Sequence, residues 1–335
     1  MKRAYSKINI FNLPYTFFVV FGIINAKIYE SEKLNFSTYL KLCRQNLHFT
    51  QKDLVSELYN FDAAFRGLDV NALGRWERAI TKPSISRQVK ILEYFFEKLD
   101  YYFPFLEMDS IPTIEKQFST KKIKKLLGKH KQIVMSFPTK RAENKNFTIT
   151  LAHESSNMNI AFSTTINICE DMYGPDMCNT EKMLKEFSLS PRSLFLVCEY
   201  KKQYFGHCFF ICLKTEAYHK IMTFQMDYLD ISTTDLALDG EDGSYLSVSL
   251  FAMNEKALAL MFIRFYAYLI LNQKTITHIG ALVSEEDAVE IATNFGLKKV
   301  AKEDDLIAYS GTIKDVLLTE QIIKILFSPN DAPEG

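Results

Sequence analysis

Residues 37–58 read STYLKLCRQNLHFTQKDLVSEL and residues 68–84 read LDVNALGRWERAITKPS; these two stretches decide how the front of the chain folds. Thr50 with Asp53 three positions on is a capping-box-like start. It opens a helix over 50–58 whose buried stripe is Leu54, Val55 and Leu58. Asp69 is the expected N-cap of a helix over 69–78, with Val70, Leu73 and Trp76 at helical spacing. Upstream, 37–45 carries Tyr39, Leu40 and Cys43 along one side. Beyond Lys82-Pro83, residues 84–99 predict a closing helix with Val89, Ile91, Leu92, Phe95 and Phe96 inward.

Thr50-Gln51-Lys52-Asp53, the Arg-Trp-Glu-Arg turn and its Pro-bounded stop together resemble the helix-turn-helix of the Cro/C1 (XRE-type) repressor family. The resemblance implies double-stranded DNA as a partner, with the third helix in the major groove and the second packed across it. Carried over, Gln51 bonds phosphate or steadies a recognition side chain. Asp69, Val70, Asn71 and Ala72 open the recognition helix and face base edges. Asn71 suits adenine, Arg75 suits guanine or phosphate, and Val70 or Ala72 suits a thymine methyl. Arg78, Thr81, Lys82 and Ser84 suit phosphate positioning. Glu77 is expected to pair with an arginine such as Arg44. Ordinary solvent exposure is the competing account of Asn71 and Arg75. Two departures stand out. The interval 60–67, NFDAAFRG, lengthens the turn and either displaces the third helix or adds a contact through Arg66. Ala79 stands where a glycine commonly follows the Glu-Arg pair.

Charge agrees with a nucleic-acid module at the front. The chain is neutral overall, but residues 1–150 hold 25 Lys and Arg against 14 Asp and Glu, and residues 151–335 hold 15 against 26. The lysine-rich run 116–131, KQFSTKKIKKLLGKHK, reads either as an extra phosphate-contacting stripe or as a solvated helix. At 335 residues, with only 12 glycines and 9 prolines, the chain holds about two folded domains and little low-complexity linker.

From Phe147 the pattern changes. It predicts strands over 147–153, 193–201, 204–214, 218–227, 244–253, 275–283, 298–302 and 305–312. Helices are expected over 156–173, 180–188, 254–273, 285–296 and 315–327. Strands interleaved with helices give a layered α/β domain. The order over 147–312 resembles the GNAT (Gcn5-related N-acetyltransferase) fold, on YLSVSLFAM, the long helix after it, ITHIGALVSEEDAVEIATNFGLKKV with its Asn294-Phe295-Gly296 turn, and Phe205-Gly206. The resemblance implies acetyl-CoA held by a glycine-rich loop at a helix N-terminus. The corresponding stretch, Ala252–Ala259, has no glycine and carries Glu255, and Ala292 stands near the place of the family's tyrosine acid. No catalytic residue, bound cofactor or metal is therefore expected; acetyl-CoA or another acyl ligand is what the resemblance alone would supply.

Six cysteines without a CxxC pair read as buried free thiols of a cytoplasmic protein. His207, Cys208 and Cys212 lie in the alternating run GHCFFICLK, where 208 and 212 share a core face. The apolar run 8–29 leaves three readings open: a docked segment, a translated leader or a membrane anchor. The expected organisation is an apolar segment 1–33, an all-α helix-turn-helix domain 34–104, a basic linker 105–146 and an α/β GNAT-like mixed-sheet domain 147–335. The expected function is sequence-specific transcriptional regulation by a homodimer whose second domain senses a small-molecule effector or dimerises. The alternatives are an active acetyltransferase fused to a DNA reader and an antitoxin-like partner-binding regulator.

Overall fold

The computed structural model describes residues 35–99, 111–127, 146–175, 178, 180–284 and 286–327. The reading of residues 1–33, and most of the basic linker expected over 105–146, lie outside the described residues. Among those described, no helix is long and apolar enough to cross a membrane.

The first four helices are α1 (Phe36–Asn46), α2 (Gln51–Phe61), α3 (Val70–Glu77) and α4 (Ile85–Leu99). Thr50 and Asp53 form the capping box of α2, each bonding the other's backbone N–H. Asp69 caps α3. The predicted stripes turn inward: Tyr39, Leu40, Leu54, Leu58, Leu73, Ile91, Leu92 and Phe95 are buried. Both α1 and α3 end in a Schellman turn, closed by Phe49 N–H to Arg44 O at 3.1 Å and by Ile80 N–H to Arg75 O at 2.9 Å. The left-handed residue of the second turn is Ala79, at φ 57°.

The lengthened interval 60–67 is structured. Its first two residues extend α2 to Phe61, and Ala63–Phe65 forms a single 3-10 turn capped by Asp62. Phe65 is fully buried, so the extra residues anchor the turn in the helical core. Arg87 Nε donates to Ala64 O at 3.0 Å and holds the turn against α4.

Within 105–146, the described residues form α5 (Ile111–Glu115) and α6 (Thr120–Leu127). On α6, Ile123, Leu126 and Leu127 are buried, while Lys121 and Lys125 are exposed. This is an amphipathic helix with lysines on its outer face.

A seven-stranded sheet follows, in the order β1-β2-β3-β4-β5-β7-β6. The strands are β1 (Phe147–Leu151), β2 (Leu194–Tyr200), β3 (Gln203–Leu213), β4 (Gly243–Ala252), β5 (Ile276–Val283), β6 (Lys298–Glu303) and β7 (Leu306–Thr312). All neighbours are antiparallel except β4 and β5, which are parallel. A parallel pair needs a crossover, and α10 (Glu255–Leu271) supplies it. The other helices are α7 (Met158–Tyr173), α8 (Glu181–Ser188), α9 (Thr215–Met222), α11 (Glu286–Asn294), α12 (Ile313–Leu317) and α13 (Glu320–Phe327). With the helices around it, the sheet forms the expected mixed α/β half behind an all-helical front. The long apolar α10 is buried nearly all round, and Phe210 of β3 stacks on its Phe265 at 4.1 Å.

Three expectations are corrected. Residues 218–227 are not a strand: α9 covers 215–222, and Ala217, Tyr218, Ile221 and Met222 bury one helical face. The apparent alternation there was a helical period seen through a short window. The closing helix is broken at Leu318-Thr319, and its second half, α13, packs on α4. The Phe327 ring of α13 sits 5.4 Å from Phe36 and 5.6 Å from Tyr39, both on α1. Lys314 of α12 pairs with Glu93 of α4 at 3.3 Å. Finally, Cys169 and Cys178 form a disulfide, because the chain turns at Gly174 and brings their Cα atoms to 5.8 Å. Cys43, Cys198, Cys208 and Cys212 are free and buried, as expected. Burial pushes the Cys43 and Cys198 thiols up to about 12, which leaves them inert at neutral pH.

Candidate functional site

Two places stand out as candidate sites. The first is the outer edge of α3. Leu73 and Trp76 fix its inner side, and the helical period then turns Val70, Asn71 and Arg75 to solvent. Asn71 and Arg75 are one turn apart and share a face. Asp69 lies at the same end, but its carboxylate accepts the Ala72 N–H at 2.6 Å and is committed to starting the helix. Ala72 is half-buried. Arg78 is exposed, with its Nε donating to Gly74 O at 3.0 Å. Thr81 is half-buried, and Arg66, Lys82 and Ser84 are exposed.

Gln51 has a different place. Its Nε2 donates to Glu77 Oε2 at 2.7 Å, and Arg44 donates to both oxygens of the same carboxylate, at 2.6 Å and 3.0 Å. Arg44 also donates to Phe49 O at 2.7 Å. The Glu77 side chain is only 4% exposed, so this cluster is a desolvated brace across α1, α2 and α3. The expected Arg44–Glu77 pair is formed. Gly74 makes room for it, since a Cβ there would meet Gln51 Oε1 at 3.3 Å. Gln51 therefore steadies the helix that carries the exposed residues.

The second place is an opening in the sheet. β4 pairs with β5 only from Gly243 to Ser247, opposite Ile276 to Ala281; beyond that the two strands part. A bulge in the β3–β4 ladder at Phe209/Phe210 bends β4 at the same level. A cavity of about 800 Å³ fills the gap, within the range of about 300–1,000 Å³ usual for small-molecule sites. Val248, Leu250 and Phe251 of β4, Leu282 of β5, Phe262 of α10 and Phe295 after α11 give it an apolar wall. No lysine, arginine or histidine lines it among the described residues, whereas Asp171, Asp227 and Glu303 do.

One wall carries a buried polar chain. His207 is wholly buried; its Nδ1 lies 2.6 Å from Tyr204 Oη, and its Nε2 lies 2.7 Å from Ser249 Oγ and 3.0 Å from Thr165 Oγ1. Thr165 Oγ1 also donates to Ala161 O at 3.0 Å. Burial drives the His207 pKa down to about 3. The imidazole is thus held neutral among three hydroxyl partners.

A coenzyme A pyrophosphate does not fit the start of α10. Asn254 is buried and accepts the Ala257 N–H at 2.8 Å, which closes the helix end, and Glu255 occupies the first turn. Ala292 contributes only a methyl group to the cavity wall. Metal-ligand clusters are absent among the described residues, and Cys208 and Cys212 lie buried in β3. The cavity and the His207 chain are not among the features the sequence predicts. The available signal was a histidine in the middle of an apolar strand, which has to find polar partners once buried.

No protein-family model matches this chain. No curated protein matches it either. Among solved structures, its fold is similar to that of an acetyltransferase from Streptococcus agalactiae, at 10% identity and a TM-score of 0.33. The match covers 50% of this chain and 99% of the acetyltransferase.

Proposed function

We propose that the protein is a sequence-specific DNA-binding regulator. Its helical front reads double-stranded DNA as an XRE-type helix-turn-helix, and its sheet half senses a small molecule. The observation that carries this is the pairing of Asn71 and Arg75 on the exposed edge of α3, with the opposite side braced by Arg44, Gln51 and Glu77. A major-groove reader needs that combination: side chains able to make bidentate base contacts, on a helix held in one orientation. Arg66, Arg78 and Lys82 add exposed positive charge for phosphates. The lysines of α6 suit the same role or simple solvation. Two-fold operator sites would call for a homodimer.

The sensing role is supported by a route between the two sites. Val316 of α12 lines the cavity, and α12 leads into α13, whose Phe327 packs on α1 of the helical front. A ligand that moves α12 has direct mechanical access to the reader. The transferase alternative has no such support, given the closed start of α10.

The test is capture from randomised duplexes by the full chain. A recurring motif is expected, and Asn71→Ala with Arg75→Ala should lose it. Recovery of fragments without any common sequence would overturn the reading.

A further inference from the structure

We propose that the opening between β4 and β5 binds a short apolar peptide as an extended strand, with its ammonium end toward the acidic rim. Three features of the opening point to this class.

The first is the unpaired edge. β3 continues to pair with β4 as far as Ala252, but β5 leaves it after Ser247. The backbone N–H and C=O groups of β4 that face the gap from Val248 onward have no partner in the sheet, and neither do those of β5 beyond Ala281. Such edges are satisfied by a molecule that offers alternating amide donors and acceptors. The edge spans Val248–Ala252, which matches an extended strand of about four residues at roughly 3.3 Å each.

The second is the wall. Aromatic and branched side chains from both strands and from α10 and α11 surround the gap, and they favour apolar side chains on both faces of an inserted strand. Ser249, which lines the gap, adds one hydroxyl. A ligand carbonyl is its natural acceptor.

The third is the charge. Among the described residues the lining holds three carboxylates and no cation. Asp227 also caps Leu229 N–H at 2.8 Å, whereas Asp171 and Glu303 form no ion pair among the described residues and are exposed at the rim. Phosphates, coenzyme A and fatty acids would meet this charge with the wrong sign. A protonated amine would meet it with the right one.

The inference rests on the sheet half being the sensing half. The test keeps the two apart by measuring peptide retention with no DNA present. The full chain is mixed with a pool of tetrapeptides made from Ala, Val, Leu, Ile and Phe, with free amino ends and amidated carboxyl ends. A second pool has acetylated amino ends and free carboxylates. Complexes are separated by gel filtration, identified by mass, and the best binder is titrated by calorimetry. The first pool should be retained and the second not. Ala281→Trp, which fills the gap, should abolish retention while the melting temperature stays near that of the parent. Asp171→Asn with Glu303→Gln should weaken the best binder by roughly fivefold, the scale of a solvent-screened ion pair, and it decides the matter if the tryptophan variant does not fold. Retention of neither pool, equal retention of both, or preference for the acidic pool or for acetyl-CoA would each overturn the proposal. Peptides held with no effect on duplex affinity would leave the site standing and remove the sensor. A captured DNA motif without peptide retention would do the reverse.

Discussion

The outer edge of α3 and the opening between β4 and β5 use polar groups in opposite ways. At α3, the buried polar groups are ionic: the Arg44–Glu77–Gln51 cluster fixes the helix, and the remaining positive charge is left in water. At the opening, the buried groups are neutral. Tyr204, His207, Thr165 and Ser249 form a hydrogen-bonded chain, and the only charges among the described lining residues are carboxylates. A surface that meets phosphates needs fixed positive charge on a rigid support. A pocket that admits an apolar molecule does better with neutral partners, because each buried charge would cost more to desolvate than it returns. The two sites thus suit ligands of opposite character, joined through α12 and α13.

The largest way to break this contrast is to remove one side of the ionic brace. Glu77→Ala leaves Arg44 buried without its partner and should cost about 3–5 kcal/mol. Unfolding by denaturant, followed through Trp76, the single tryptophan, reads it directly. A loss below about 1 kcal/mol would mean that the brace is dispensable.

The neutral chain makes a prediction in pH. Unfolded, His207 titrates near its ordinary 6.5; folded, it stays neutral down to about 3. Its contribution to stability is therefore complete above pH 6.5 and is lost as pH falls toward 3, by up to about 1.4 kcal/mol per pH unit. His207→Gln should flatten the pH dependence of the melting temperature in that window. An unchanged slope would show that the imidazole is not kept neutral.

On DNA selected by the parent protein, Asn71→Ala and Arg75→Ala should each weaken binding by about 1–3 kcal/mol, measured by fluorescence anisotropy. Stability should hardly change, since both side chains lie outside the helical core. Equal loss on unrelated duplexes would mark them as phosphate contacts.

The smallest effect lies at the end of α3. Ala79 occupies a left-handed conformation that glycine adopts without strain. Ala79→Gly should raise stability by about 1 kcal/mol, seen as a higher denaturant midpoint. Tighter DNA binding by this variant would show that the strain also limits the reader.

Legibility followed the range of the interactions. The caps at Thr50 and Asp69, the inward stripes and most strands were visible because each depends on residues within a few positions. The strand wrongly expected over 218–227 failed for the same reason: YHKIMTFQM satisfies an alternation and a helical period equally, and only the packing of Tyr218, Ile221 and Met222 separates them. Gly174-Pro175 marks the turn in the sequence, but the approach of Cys178 to Cys169 beyond it is a matter of tertiary placement. At the outer edge of α3, Asn71 and Arg75 could be named as exposed candidates, but the brace through Gln51 needed the crossing of α2 and α3.

What the sequence determined by itself was most of the elements and their inner faces, together with the glycine-free, acidic start of α10; each is a local choice among backbone conformations and side-chain sizes. Tertiary structure alone decided where β4 and β5 part, which neutral chain lines the gap and where α13 docks. Those features come from register and packing between segments far apart in the chain, and no local preference encodes them.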